Sequence, residues 1–205
     1  MKRKNQLVKE RYSLLKSVIA LFLIVNGLVL FVFEDNVLDF GYATLDRFFE
    51  LAPWVLLLLI PAITMRSFAE EFRTGTWEVL RTQPLTDWQI VFGKFIGAYA
   101  VVLIALCPTL LYSFIIDLLS ADQGLDWGAA IGSYLGLFFL AAVFTSIGIW
   151  CSSVTANTIV AFLLASIGTA TLYYGFHAIS LLPTLPTGID YWIEWAGIDF
   201  HYRSI

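Results

Sequence analysis

The sequence predicts an all-α fold, a polytopic bundle of transmembrane helices, and three observations carry that prediction. Hydrophobic residues make up 59% of the chain and charged residues only 14%, too few to clothe a soluble domain of this size in polar surface. Five continuous apolar runs approach the roughly 20 residues that a helix needs to cross a bilayer. The basic residues gather on one side of those runs. A strongly positive mean hydropathy agrees with all three.

The runs fall near Leu14–Phe33, Phe48–Met65, Phe95–Ile116, Ala129–Trp150 and Thr158–Phe176. They are continuous rather than alternating, so they read as helices and not as barrel strands. Backbone polar groups in lipid must be satisfied within the segment. The first run is not a cleavable signal peptide, because its apolar core is too long and Glu34, Asp35 and Asn36 follow it in place of small residues.

Orientation follows from charge. Lys2, Arg3, Lys4, Lys9, Arg11 and Lys16 precede the first run, and Arg66, Arg73, Arg81 and Lys94 follow the second. The opposite side holds only Arg47 and Arg203 among acids such as Asp39, Asp46, Asp122 and Asp190. The N-terminus is therefore expected in the cytoplasm. The net charge of −4 reflects the acidic outer loops. Residues 1–205 read as one transmembrane domain. Residues 177–205, with Trp192 and Trp195, suit an extracytoplasmic interfacial tail. An odd number of spans leads us to expect a sixth that this chain lacks.

Between the second and third runs lies a polar island, Arg66–Lys94, with four basic and four acidic side chains. The second span is expected to continue as helix through Arg66–Arg73. A capping-box match at Ser67–Glu70 is discounted, since a helix in progress needs no cap. Gly75 should end that helix in left-handed geometry. Thr74 or Thr76 is then placed to cap a short helix over Thr76–Thr82, which Pro84 terminates. Thr86, with Gln89 three residues on, is a second capping box and opens the third span. Trp77 and Leu80 share one face of the short helix and can meet bilayer or bundle. Glu78 and Arg81 share another, facing water or a partner. The same pattern also suits a plain, charge-balanced connector.

The string EEFRTGTWEVLRTQPLTDWQIVFGKFIG resembles the segment after the second span in ABC-2 type permeases. The match rests on Glu70, Glu71, Gly75, Thr76, Glu78, Leu80, Thr82, Pro84, Leu85, Gly93 and Lys94. Within that group the chain is most similar to the gliding-motility permease of Bacteroidetes, the GldF type. This likeness rests on PLTDWQIV, CPTLLYSFIIDLL and IGSYLGLFFLAAVFTSIGIWCSSVTANTIVAF, and it extends from about residue 5 to the end. The resemblance implies a permease subunit of an ABC transporter in the cell inner membrane, with six helices per half. It also implies that a short cytoplasmic helix transmits ATP-driven closure of a separate ATPase. Residues 66–94 become the coupling segment, with Glu70, Glu71, Glu78 and Arg81 as partner contacts. Trp77 and Leu80 fix the helix to the bundle, and Arg73, Gly75, Thr76 and Pro84 complete the segment. A cytoplasmic ATPase, a second permease subunit and the bilayer are the expected partners, with no nucleic acid. A non-transporting scaffold of a motility or secretion machine needs the same island and stays open as the alternative.

Several absences bear on function. Gly93-Lys94 is followed by Phe95 and lacks an upstream glycine, so the chain has no Walker A loop. The expectation is that the chain carries no cofactor and that ATP binds another subunit. No Asp, Glu, Lys or Arg sits deep in a run, which disfavours an ion-coupled transporter. His177 near Ser180 and His201 beside Asp199 make no nucleophile–base set or metal site, so no enzyme is expected. Cys107 and Cys151 match no ligand spacing and read as small apolar side chains. Gly93/Gly97 and Gly132/Gly136 have the spacing of helix-contact motifs. Pro53, Pro61 and Pro108 are candidate kinks. The uncharged hairpin Cys151–Asn157 joins spans four and five and could lie beneath the same docked partner.

Overall fold

The computed structural model describes residues 16, 19–20, 22–28, 45–119, 124–181, 195 and 197, and every described element is helical. The elements are α1 (Asp46–Thr64), α2 (Ala69–Thr74), α3 (Thr76–Arg81), α4 (Asp87–Leu106), a 3-10 turn (Cys107–Thr109), α5 (Leu110–Leu119), α6 (Trp127–Val154) and α7 (Thr158–Ser180). Residues 22–28 of the first apolar run are helical as well. Most of the rest of that run, most of the expected tail and His201 lie outside the described residues.

Among the described residues, four stretches are long and apolar enough to cross a membrane: Phe48–Thr74, Asp87–Leu118, Trp127–Val154 and Thr158–Ser180. At 28 residues, α6 is about 42 Å long and overshoots a hydrocarbon core of about 30 Å. The second span was expected to run unbroken to Arg73. Instead α1 stops at Thr64 and turns occupy 65–68 before α2 begins. The last span runs one turn further than expected, so His177–Ser180 belong to helix and not to the tail.

Local chemistry explains the helix starts. Asp126 Oδ1 accepts from Gly128 N at 2.9 Å and Ala129 N at 3.2 Å, which caps α6. Asn157 Oδ1 accepts from Ile159 N at 3.0 Å, so a three-residue link returns the chain as α7. Thr86 and Gln89 form the expected reciprocal capping box at the start of α4. Each device satisfies amides that a helix N-terminus would otherwise strand.

Pro108 breaks the third span as expected, because it supplies no N–H to the carbonyl one turn back. In lipid such a break needs side-chain repair. Thr109 Oγ1 donates to Leu106 O at 2.6 Å, and Tyr134 from α6 donates to Thr109 O at 2.9 Å. Tyr112 reaches Leu23 O at 3.2 Å and Tyr99 reaches Phe138 O at 3.1 Å. Tyrosine hydroxyls thus join neighbouring spans through backbone carbonyls.

The central pair is α1 and α6. Half of the spanning window of each is buried (50%), against 22% for the α4–α5 stretch and for α7. Phe48, Leu56, Ile60, Leu137 and Phe144 fill the seam. At its island end a Cβ placed on Gly148 would stand 2.1 Å from Thr64 Oγ1 and 2.9 Å from Thr64 Cβ. Gly148 therefore sets how closely α1 and α6 approach. Gly148→Ala should destabilise the bundle by about 1–3 kcal/mol, and Thr64→Ala should partly rescue it, as read by thermal unfolding in detergent. Equal stability of wild type and Gly148→Ala would refute the close approach. In contrast, a Cβ at Gly93 or Gly97 would meet nothing within 4 Å. That glycine pair makes no contact within the described bundle.

Candidate functional site: the stapled coupling segment

The expected coupling segment, residues 66–94, contains two short helices that could not stand alone, since α2 and α3 have six residues each. Gly75 separates them at φ 70°, ψ 8°, a left-handed geometry that only glycine adopts cheaply. Neither threonine caps α3, contrary to expectation: the residue at its N-cap is Gly75, with no side-chain bond. Thr74 Oγ1 donates back to Glu70 O at 2.8 Å and lies 3.0 Å from Thr76 Oγ1. The threonine hydroxyl closes the preceding turn in place of opening the next.

What holds the segment comes from elsewhere in the chain. Ser152, fully buried near the end of α6, accepts from Phe68 N at 3.0 Å and Ala69 N at 3.1 Å. Its hydroxyl donates to Met65 O at 3.1 Å. One hydroxyl thus serves the interrupted turn where α1 gives way to α2. The second anchor is Lys94 on α4. Its ammonium pairs with Glu71 Oε1 at 2.6 Å, donates to Ser67 O, and lies 4.5 Å from the centroid of the Phe68 ring. The lysine is mostly enclosed, which strengthens all three contacts.

An aromatic knot joins the two short helices across Gly75. Trp77 meets Phe68 edge-on at 5.6 Å and Phe72 at 5.4 Å, and Phe68 and Phe72 stack at 6.1 Å. Trp77 and Leu80 therefore face the bundle, with Ile90, Ala98 and Ile149 beside the same cluster. Arg73, Thr76, Glu78, Arg81 and Pro84 are exposed, while Glu70 and Glu71 are half-buried. Val79 stands out at 63% exposure beside Glu78. It borders a shallow depression with Glu71, Thr76, Leu80 and Gln83. The α3 helix accordingly has an aromatic inner face and a mixed polar and apolar outer one.

A larger groove, about 630 Å³, opens between the segment, the start of α4 and the end of α6. Phe72, Phe95 and Ile149 are among its walls, Trp77, Trp88 and Trp150 line it, and Arg81 and Asp87 supply its charges.

The residues that tie the segment down were the ones sequence reasoning missed. From sequence, Ser152 is only part of an uncharged hairpin, and Lys94 only a basic residue of the island. Nothing local marks Ser152. Lys94 had a signal in its place within the Gly-Lys pair of the ABC-2 pattern.

Among the described residues no cluster of His, Cys, Asp and Glu could hold a metal ion. Cys107 is exposed and Cys151 buried, and both are free thiols. His177 packs edge-on against Tyr174. Among the described residues the buried polar side chains, Asn26, Thr64, Thr109, Ser113, Thr145, Ser152 and Thr169, are all neutral.

The family model for the ABC-2 family transporter protein matches residues 40–189, well over half of the chain. The chain belongs to the ABC-2 transporter family. It is a multi-pass membrane protein, a permease subunit of an ABC transporter. The matched region of this ABC-2 permease takes in all of residues 66–94 together with Ser152. No curated protein and no solved structure shows a significant match to it.

Proposed function

We propose that this permease receives the conformational cycle of a separate cytoplasmic ATPase through α3 and passes it to the transmembrane bundle. One observation carries the reading: α3 is hinged at both ends yet fixed on its inner face to helices that cross the membrane. Gly75 and the Gln83-Pro84-Leu85 turn flank it, and its aromatic face rests on the cluster that Lys94 and Ser152 secure. A push on the outer face is therefore delivered to α4 through Lys94 and to α6 through Ser152, rather than lost in a loose loop.

In this reading ATP binds the partner subunit, and this chain has no catalytic site or cofactor of its own. The permease pairs with a second permease subunit in the cell inner membrane. Export linked to gliding motility is the specific role that the sequence resemblance favours. Glu78 and Val79 form the centre of the docking face, with Glu70, Arg73 and Arg81 around it.

Co-purification with the cytoplasmic ABC ATPase of the same transporter tests the assignment. Glu78→Lys and Val79→Asp should each cut recovery of the ATPase about tenfold, as expected for residues near the centre of a small interface. Ile131→Ala, on the lipid face of α6, should leave recovery unchanged. Undiminished recovery with both α3 variants would refute docking at this helix.

A further inference from the structure

The aromatic groove beside the coupling segment is not needed for ATPase docking, and its chemistry names a different occupant. We infer that it is a binding site for one phospholipid of the cytoplasmic leaflet whose headgroup carries a primary amine, as in phosphatidylethanolamine. This inference shares Arg81 with the docking reading, at the rim between groove and docking face, but its readout is lipid retention by the permease alone, so either reading can fail without the other.

Three features converge. Trp77, Trp88 and Trp150 all line the groove, and tryptophans collect at the level of lipid headgroups, where one end of the ring is apolar and the other wet. Trp88 and Trp150 remain 73% and 68% exposed, so the groove is open to the bilayer. The positive-inside distribution puts this end of the bundle at the cytoplasmic leaflet.

The walls are apolar, with Phe72, Phe92 and Phe95 among them. Ser146 and Ser153 also line the groove but direct their hydroxyls to Ala142 O and Trp150 O of their own helix. The apolar walls therefore offer contact for an acyl chain, and the hydroxyl protons of both serines are already engaged within α6. Its volume, about 630 Å³, lies within the range of pockets that hold small hydrophobic ligands.

The charges select the headgroup. Arg81 and Asp87 both line the groove, and neither has an ion-pair partner among the described residues. One cation and one anion match a zwitterion. The guanidinium forks onto phosphate oxygens, while the carboxylate accepts from an ammonium N–H. A quaternary choline has no N–H to donate, and a glycerol headgroup has no positive charge. Phosphatidylethanolamine alone of these three satisfies both residues.

Native mass spectrometry of the full chain, titrated with phosphatidylethanolamine, phosphatidylcholine or phosphatidylglycerol, tests the site. The first phosphatidylethanolamine should be retained about fivefold better than either competitor, the scale expected of one exposed charge-assisted contact. Asp87→Asn should bring phosphatidylethanolamine down to the phosphatidylcholine level, and Arg81→Gln should weaken all three lipids. Ser146→Trp should fill the groove and abolish the first-site preference. Equal retention of the three lipids would overturn the proposal, as would a preference for phosphatidylglycerol. So would a phosphatidylethanolamine preference that survives both Asp87→Asn and Ser146→Trp. A lipid-free dimer that Ser146→Trp dissociates would assign the groove to a second copy of the chain and overturn it equally.

Discussion

Ser152→Ala is expected to free the coupling segment from α6 and to leave the complex assembled but poorly coupled. The substitution strands two amides, Phe68 N and Ala69 N, at residues 4% and 0% exposed. It also removes the donor to Met65 O. Water cannot replace these bonds in so closed a place, and an unsatisfied buried amide costs about 1–3 kcal/mol. The expected loss is about 2–5 kcal/mol of stability, concentrated at 65–69 rather than spread over the bundle. Hydrogen exchange by mass spectrometry should show lost protection over these residues with little change in the middle of α6. The ATPase should still co-purify, since α3 keeps its outer face, while ATP-driven activity of the complex falls. Ser153→Ala is the internal control: that exposed hydroxyl bonds only to Trp150 O in its own helix, so its removal should be nearly silent. Unchanged exchange at Phe68 and Ala69 in Ser152→Ala would refute the staple.

This staple also marks where sequence reasoning runs out. The spans were legible because a helix in lipid must be apolar along its whole length, whatever its neighbours are. Thr86 with Gln89 and the glycine break at Gly75 were legible because they depend on a residue's own preference or on a partner three positions away, whereas the spacing of Trp77 and Leu80 put them on one face and left bilayer and bundle both open. Ser152 reaches Phe68 across 84 positions of chain, and Lys94 reaches Ser67 across 27. Such contacts exist only once the spans have packed, and no local pattern encodes them. The misassigned cap at Thr74 and Thr76 has a different origin. A threonine hydroxyl has two local partners, the carbonyl a turn behind and the amide ahead, and here the carbonyl of Glu70 takes it. The break at 65–68 was missed because its compensation is supplied by Ser152. Without that hydroxyl, an uninterrupted helix is the better guess.

Lys94→Met should produce the second large effect, and comparison with Glu71→Gln should show why. Lys94 serves three partners: the Glu71 carboxylate, the Ser67 carbonyl and the Phe68 ring. The side chains of Lys94 and Glu71 are only 17% and 30% exposed, so the pair is neither a surface ion pair of negligible worth nor a fully buried one. Removing the cation leaves a half-buried carboxylate without its charge partner and frees α4 from the segment, an expected loss of about 2–4 kcal/mol. Glu71→Gln keeps the lysine's bonds to Ser67 and its place over Phe68, so it should cost less. The Lys94→Met/Glu71→Gln double variant should then be less impaired than the two single losses predict, because residues in direct contact are not additive. Lys94→Arg should rescue only in part, since a planar guanidinium is poorly shaped to serve carboxylate, carbonyl and ring from one small ammonium site. Thermal unfolding of the wild type, the two single variants and the double variant supplies the cycle, and ATPase coupling supplies the functional reading. Additive losses would mean that Lys94 and Glu71 act separately, and force from α3 would then need a route to the third span other than this ion pair.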